Sequence, residues 1–356
     1  LQTQLQQERG WDRATDGLGK YDFLPYYYPP WFAAGCALLV PLGYDGAKAA
    51  WFFLNLELLL LSGYLLRDAV PGVPRSVPPV LVPVFALSIV ALFVGQTSIL
   101  MLFLSALAWR LMERGHDRLA GAALAGLTTK PQLAAALVLA LLIWSARQRR
   151  WRIVAGFTAA LAALSLLGAA IVADWPIEML RAAGRTPPPT VYFPWIGTTW
   201  LLALKTAGLR AWPLWGLYLA AALPFLAVLV HAALDRSRSL EEIFSLGLIA
   251  PFILAPYGRH YDFPVLLIPV LVLMGRRLSE QAGAALLVAL LVLPYINLGI
   301  IAKFRERYPS TVRLFPEWTF LWIPLLVTVT WFATEAAGSR RRGLPCASAE
   351  AALSSP

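Results

Sequence analysis

Lys130, with Pro131 and Gln132 behind it, interrupts a stretch from Leu119 to Trp144 that is otherwise apolar apart from two threonines. A cation inside a hydrocarbon-compatible segment is expensive, and by default it marks a place where charge is used. Pro131 removes a helical hydrogen bond and pushes Thr129 and Lys130 away from ideal helix geometry. A helix broken there presents a compact cation suited to a lipid phosphate. The plainer reading is a lysine reaching the interface from a short helix. A second polar knot, Pro256–Asp262, lies between two apolar runs. Arg259, His260 and Asp262 within four positions have the chemistry of a phosphate clamp with a proton-transfer pair, and Tyr261 joins them as a substrate contact. An ordinary loop with a local Arg–Asp pair is the alternative. Gly95 and Gln96, followed by Thr97 and Ser98, precede another apolar run. Gln96 there could meet a phosphate or sugar hydroxyl at a helix start, or Gln96, Thr97 and Ser98 could simply cap that helix.

Two further features are weaker. The aromatic run Tyr26–Trp31 contains Tyr28 and leads into the first apolar segment; it is either the lip of a membrane-level site or an interfacial belt before a Pro-initiated helix. Glu57 lies in the middle of an apolar run, near Asn55. An acid at that depth is a functional hypothesis by default, unless it serves to pair with a neighbouring helix.

The elements that must position these residues follow from composition. Of 356 residues, 59% are hydrophobic and 14% charged, more apolar surface than a soluble domain can hide and what a bilayer accommodates. The runs are continuous rather than alternating, which excludes a β-barrel. The expected fold is all-α, a polytopic integral membrane protein of about ten or eleven transmembrane helices, counted against the ~20 residues a bilayer needs. Several runs, such as 30–44 and 79–94, are short or bounded by proline, as tilted or re-entrant segments are. The net charge of +10 resides in short loops beside apolar runs, which is positive-inside topology rather than nucleic-acid binding. Placing Arg147–Arg152, Arg276–Arg277 and Arg340–Arg342 in the cytoplasm leaves the 174–211 loop outside. The 303–316 loop, with Lys303, Arg305, Arg307 and Arg313, goes against that rule. Arg110, Arg114 and Arg118 reach the cytoplasmic side only if 118–130 and 131–146 are two half-length segments meeting at Lys130 on the outer side, and this split reading is preferred over one long helix.

The expected organisation is an extracytoplasmic segment at 1–28, a transmembrane domain at 29–337 and a disordered cytoplasmic tail at 338–356. Pro187–Pro189 would stiffen the outer loop, with Trp195 and Trp200 at the interface. Cys36 and Cys346 are too far apart in context for a disulfide framework, and His116, His231 and His260 are too scattered for a metal site.

Taken in order, Tyr28–Pro30, Pro41-Leu42, Gly95-Gln96, the Ala120–Pro131 run and the Pro256–Pro269 block resemble glycosyltransferase family 87, across about residues 21–275. These are bacterial polyprenyl-phosphate-dependent, mannosyltransferase-like proteins of the GT-C fold class. The resemblance implies a multi-pass enzyme of the bacterial plasma membrane. It would take a hexose, typically mannose, from a polyprenyl-phosphate donor on the outer face and pass it to a glycolipid or cell-envelope glycan. No cofactor is implied beyond the lipid-linked sugar, which is already activated. The family places a catalytic aspartate just after a first helix; Asp12, Asp16 and Asp22 do not match it, so the general base is expected upstream of Leu1. Within the chain, Lys130 and Arg259 would hold the lipid phosphate, Gln96 would orient donor or acceptor, and His260 and Asp262 would orient the clamp or help move the proton. The competing classes are a transporter or flippase of lipid-linked saccharides, against which no paired half-repeats are visible, and an inactive scaffold subunit.

Overall fold

The computed structural model describes residues 28–185, 197–307 and 317–343, which are helical with no strand among them. In chain order, α1 (Pro30–Ala37) and a short 3-10 turn lead into α2 (Gly43–Leu66). Next come α3 (Val77–Val84) and α4 (Ala86–Val94), bent by 54° to one another. Then follow α5 (Ser98–Glu113), α6 (Asp117–Gly126), a 3-10 turn at Leu127–Thr129, and α7 (Pro131–Arg147). The chain continues through α8 (Trp151–Ile171), α9 (Trp175–Arg185), α10 (Trp200–Thr206), α11 (Ala211–Leu234) and α12 (Leu240–Leu254). A 3-10 segment, His260–Leu266, passes into α13 (Leu267–Val272) and a π-helical turn, Leu273–Arg277. Last are α14 (Glu280–Arg307), a 3-10 turn at Glu317–Phe320, and α15 (Trp322–Gly343).

Among the described residues five segments are long and apolar enough to cross a membrane: α2 with the turn before it, α8, α11, α14, and α15 with the turn before it. The bent α3–α4 pair is a sixth if taken as one span. The protein is thus a polytopic, all-helical membrane protein. Helix is what such runs must form, because hydrocarbon offers no partner to an unpaired backbone group. The remaining apolar runs are shorter helices, and α12, apolar on every side, is buried almost throughout, as such a helix must be.

Two of these short helices belong to hairpins that turn back inside the molecule. Pro131 does break the helix: Lys130 has φ −127° and ψ 74°, well outside the helical region. Pro131 then opens α7, where its missing N–H leaves no bond unmade. The two arms start and finish on one side. Arg150, just before α8, pairs with Asp117 at the start of α6 and donates to the Met112 carbonyl at 2.6 Å. Gly121 and Gly156 bring α6 and α8 almost into backbone contact; a Cβ at Gly121 would sit 2.1 Å from the Ile153 oxygen. Arg118 therefore shares a side with the Arg147–Arg152 cluster, as the split reading requires. At 1.5 Å per residue, α7 carries the Lys130 tip roughly 25 Å from that arginine-rich face.

The second hairpin rises through α12 and descends through the 3-10 segment, α13 and the π turn. Its feet are tied at the arginine-rich face. Arg277 donates to Glu242 at 2.9 Å and to Glu335 at 2.6 Å, and Arg238 donates to Glu335 at 2.6 Å. Trp144 and Gln148, at the end of α7, donate to the carbonyls of Arg238 and Arg236 at 3.1 and 2.8 Å. Both hairpin tips consequently point the same way. Lys303 of the 303–316 loop is described, but the Arg305 side chain and Arg313 lie outside the described residues, as do Asp12, Asp16, Asp22, Tyr26, Tyr27, Pro187–Pro189 and Trp195. The 174–211 loop contains α9 and α10, and α15 runs on to Gly343, into the stretch expected as tail.

Candidate functional site

The hairpin tips meet the first residue of α5. Lys130 Nζ pairs with Asp262 Oδ1 and donates to Ser98 Oγ at 3.2 Å, while Ser98 Oγ donates to the same Asp262 oxygen at 2.6 Å. Asp262 Oδ2 accepts the Arg259 backbone N–H at 3.1 Å. Lys130 is 3% exposed and Asp262 1%. Charges this deep persist only when paired and hydrogen-bonded, because desolvation costs several kcal/mol per ion. Three residues far apart in sequence thus form one neutral, water-shielded knot.

A second ion pair lies beside it. Arg259 Nε is 2.7 Å from both carboxylate oxygens of Glu317, and Nη2 closes on Oε1. Glu317 is fully buried, and its Oε2 also accepts the His260 backbone N–H at 3.3 Å and lies 2.9 Å from His260 Nδ1. The His260 ring stacks on Phe320, with 5.5 Å between centroids and 17° between planes. The Tyr261 ring joins the two pairs: Lys130 Nζ is 5.2 Å and Arg259 Cζ 5.1 Å from its centroid.

This geometry revises the sequence reading in three places. Arg259, His260 and Asp262 are not one local clamp. Asp262 faces Lys130, Arg259 and His260 face Glu317, and only the backbone of Arg259 reaches Asp262. The Lys130 ammonium is not held out to the surroundings; it is enclosed by protein at the hairpin tip. Gln96, Thr97 and Ser98 do not cap α5 by side-chain hydrogen bonds, since Ser98 turns to Asp262 and Thr97 Oγ1 donates to Tyr28 Oη at 3.3 Å. Glu317 is the contributor that sequence reasoning passed over, and Ser98 was read there only as part of a helix start. Glu317 opens an apolar run, a visible oddity, but its partner Arg259 is 58 positions away and nothing local announces the pairing.

Tyr28 and Gln96 stand at the mouth of something else. Gly95 ends α4 in the left-handed region, at φ 71°, and Trp51 Nε1 donates to its carbonyl at 2.9 Å. A side chain at Gly95 would be strained by that φ and crowded by the Trp51 ring 3.3 Å away. The turn forms one wall of an apolar groove of about 760 Å³, lined also by Phe32, Cys36, Tyr44, Phe52, Phe93 and the exposed Lys48. Gln96 and Thr97 line the groove, and Ser98, next in the chain, belongs to the buried knot. Glu57 takes no part: it is exposed on α2, away from the tips.

Comparison with known proteins bears on this arrangement. The family model described as glycosyltransferase family 87 matches residues 26–256, about two thirds of the chain and up to the edge of the Arg259–Asp262 tip. No curated protein and no solved structure matches.

Proposed function

The chain belongs to glycosyltransferase family 87 and is a membrane-embedded glycosyltransferase; from that footing we propose that it moves a hexose, mannose by the family resemblance, from a polyprenyl-phosphate donor to a glycolipid or cell-envelope glycan on the outer face of a bacterial plasma membrane. The observation that carries this reading is the pairing of Lys130 with Asp262 and of Arg259 with Glu317 at the hairpin tips, with Ser98 of the Lys130 knot one residue along the chain from Thr97 in the wall of an apolar groove. The groove suits an isoprenoid tail, and the hairpin tips lie opposite the arginine-rich face, which positive-inside topology assigns to the cytoplasm.

The chemistry asked of the site is modest. As the acceptor hydroxyl bonds to the sugar C1, the C1–O bond to the lipid phosphate breaks, and the phosphate leaves with the electron pair and a growing negative charge. Fixed donors in a dry site stabilise such charge strongly. Two donors are positioned for this. The third hydrogen of Lys130 Nζ and Arg259 Nη1 have no partner among the described residues. Asp262 and Glu317 hold these cations in place, and the Tyr261 ring sets their spacing. A phosphate arriving at Lys130 releases Asp262 from its ion pair, so that Asp262 orients or accepts the departing proton, while His260, held on Glu317, helps orient the clamp. Gln96 and Tyr28, which both line the groove, meet the donor there.

The test is turnover in proteoliposomes supplied with radiolabelled hexosyl polyprenyl phosphate, reading free polyprenyl phosphate. Arg259→Lys keeps a charge for Glu317 but loses the forked donor set. The expected loss is on the order of 10²-fold or more, the range for removing one transition-state donor. Unchanged release, or label accepted from a sugar nucleotide instead of the lipid donor, overturns the reading.

A further inference from the structure

The face of α2 that carries Glu57 is left exposed by the described residues. α2 buries Asn55, Leu59, Ser62, Gly63 and Leu66 against its neighbours. On its opposite side Phe53, Glu57, Leu60 and Tyr64 are all exposed, with Phe53 at 61% and Tyr64 at 54%. The spacing of these four, i, i+4, i+7 and i+11, is the seam along which one helix packs on another. α2 therefore carries two such seams back to back, and the described residues cover only one. Glu57 stands nine residues before Leu66, so it is about 14 Å along the axis from the end of α2 near the arginine-rich face, deep in the apolar part of the span. No hydrogen bond or ion pair reaches Glu57 from the described residues. Acidic side chains at that depth almost always face a protein interior, a wet cavity or a partner. A leucine would serve a face that meets only lipid.

We propose that this seam of α2 docks a membrane-spanning helix of another polypeptide, which presents a lysine or arginine to Glu57 near mid-bilayer. Charge complementarity selects the partner's chemistry. Phe53, Leu60 and Tyr64 supply the apolar contact on either side, where close packing rather than hydrophobic exclusion holds helices together in lipid. The catalytic tips are not involved. Glu57 and Lys130 lie on different elements, so the complex and the transfer reaction can fail independently.

The experiment places a photo-crosslinking phenylalanine derivative at Leu60 of the full chain, expressed in the membranes of its own host. The expected result is one protein adduct, mapped by mass spectrometry to a membrane-spanning segment with a basic residue within one turn of the crosslink. The adduct should fall at least tenfold in Glu57→Leu, fall less in Glu57→Gln, and return when Glu57→Lys is combined with an acid at the partner's basic position. The same probe at Val288, exposed on α14, should give lipid adducts only. Adducts at Leu60 with lipid alone, with a second copy of this chain, or with another segment of the same chain overturn the proposal. So does an adduct unaffected by Glu57→Leu. The thermal midpoint of Glu57→Leu in detergent serves as the folding control, since an exposed side chain with no partner among the described residues should not lower it.

Discussion

Lys130 and Asp262 set the terms at the residue scale. Each is the other's counter-charge in a nearly dry setting, so removing one strands the other. Lys130→Met or Asp262→Asn alone is expected to cost about 3–5 kcal/mol of stability, the usual penalty for breaking a buried pair. The paired replacement Lys130→Met with Asp262→Leu should recover much of that loss, because apolar substitutes of similar size often match a buried ion pair. Transfer should be absent in all three. Unfolding midpoints and lipid-phosphate release, measured on the same preparations, separate the two effects. A folded double variant that still turns over would remove Lys130 and Asp262 from the site. Ser98→Ala is gentler: it deletes one hydrogen bond to a charged oxygen, a loss of about 1.5–3 kcal/mol.

At the scale of elements, the crossing of α6 on α8 fixes where the Lys130 tip stands. The contact is backbone on backbone at Gly121 and Gly156, with no room for a single methyl group. Gly121→Val is expected to push the helices apart and lower stability by about 1–3 kcal/mol, as overpacking does elsewhere. Because the tip is carried by α6, turnover should fall further than the stability loss explains, and a comparison of activity at temperatures well below the midpoint would show it. The feet of the second hairpin are held differently, by Arg238, Arg277, Glu242 and Glu335. These lie part-buried at the opposite end from the Lys130 tip. Glu335→Gln is expected to lower the thermal midpoint while leaving the affinity for donor unchanged.

For the whole molecule, the arrangement separates two polar ends by an apolar middle. Ion pairs tie the helices at the arginine-rich end, and ion pairs gather Lys130, Asp262, Arg259 and Glu317 at the other. The sidedness can be checked directly. With Cys36 and Cys346 replaced, Ser237→Cys beside Arg236 and Arg238 should react with a membrane-impermeant maleimide only from the cytoplasmic side. Arg210→Cys, before α11, should react only from outside. The opposite pattern would invert the protein and place its site in the cytoplasm.

Hydropathy and proline placement are local properties, and what depends on them was readable from residue order alone. The all-helical membrane character, the break at Lys130-Pro131, the return of 118–146 to its starting side, and the family all followed from short-range patterns. The gathering of Lys130, Arg259, His260, Tyr261 and Asp262 into one neighbourhood was legible as well, because a charge surrounded by apolar sequence must find company. Which charge meets which was not. Lys130 with Asp262, and Arg259 with Glu317, are pairings across 132 and 58 positions. They depend on how far α7, α12 and α15 rise and how each is rotated about its axis, and that is decided by packing against other helices. Glu57 illustrates the same division. Its chemistry stands in the sequence, but whether it turns inward to a partner or outward to lipid depends on the rotation of α2, which the burial of Asn55, Leu59 and Ser62 decides.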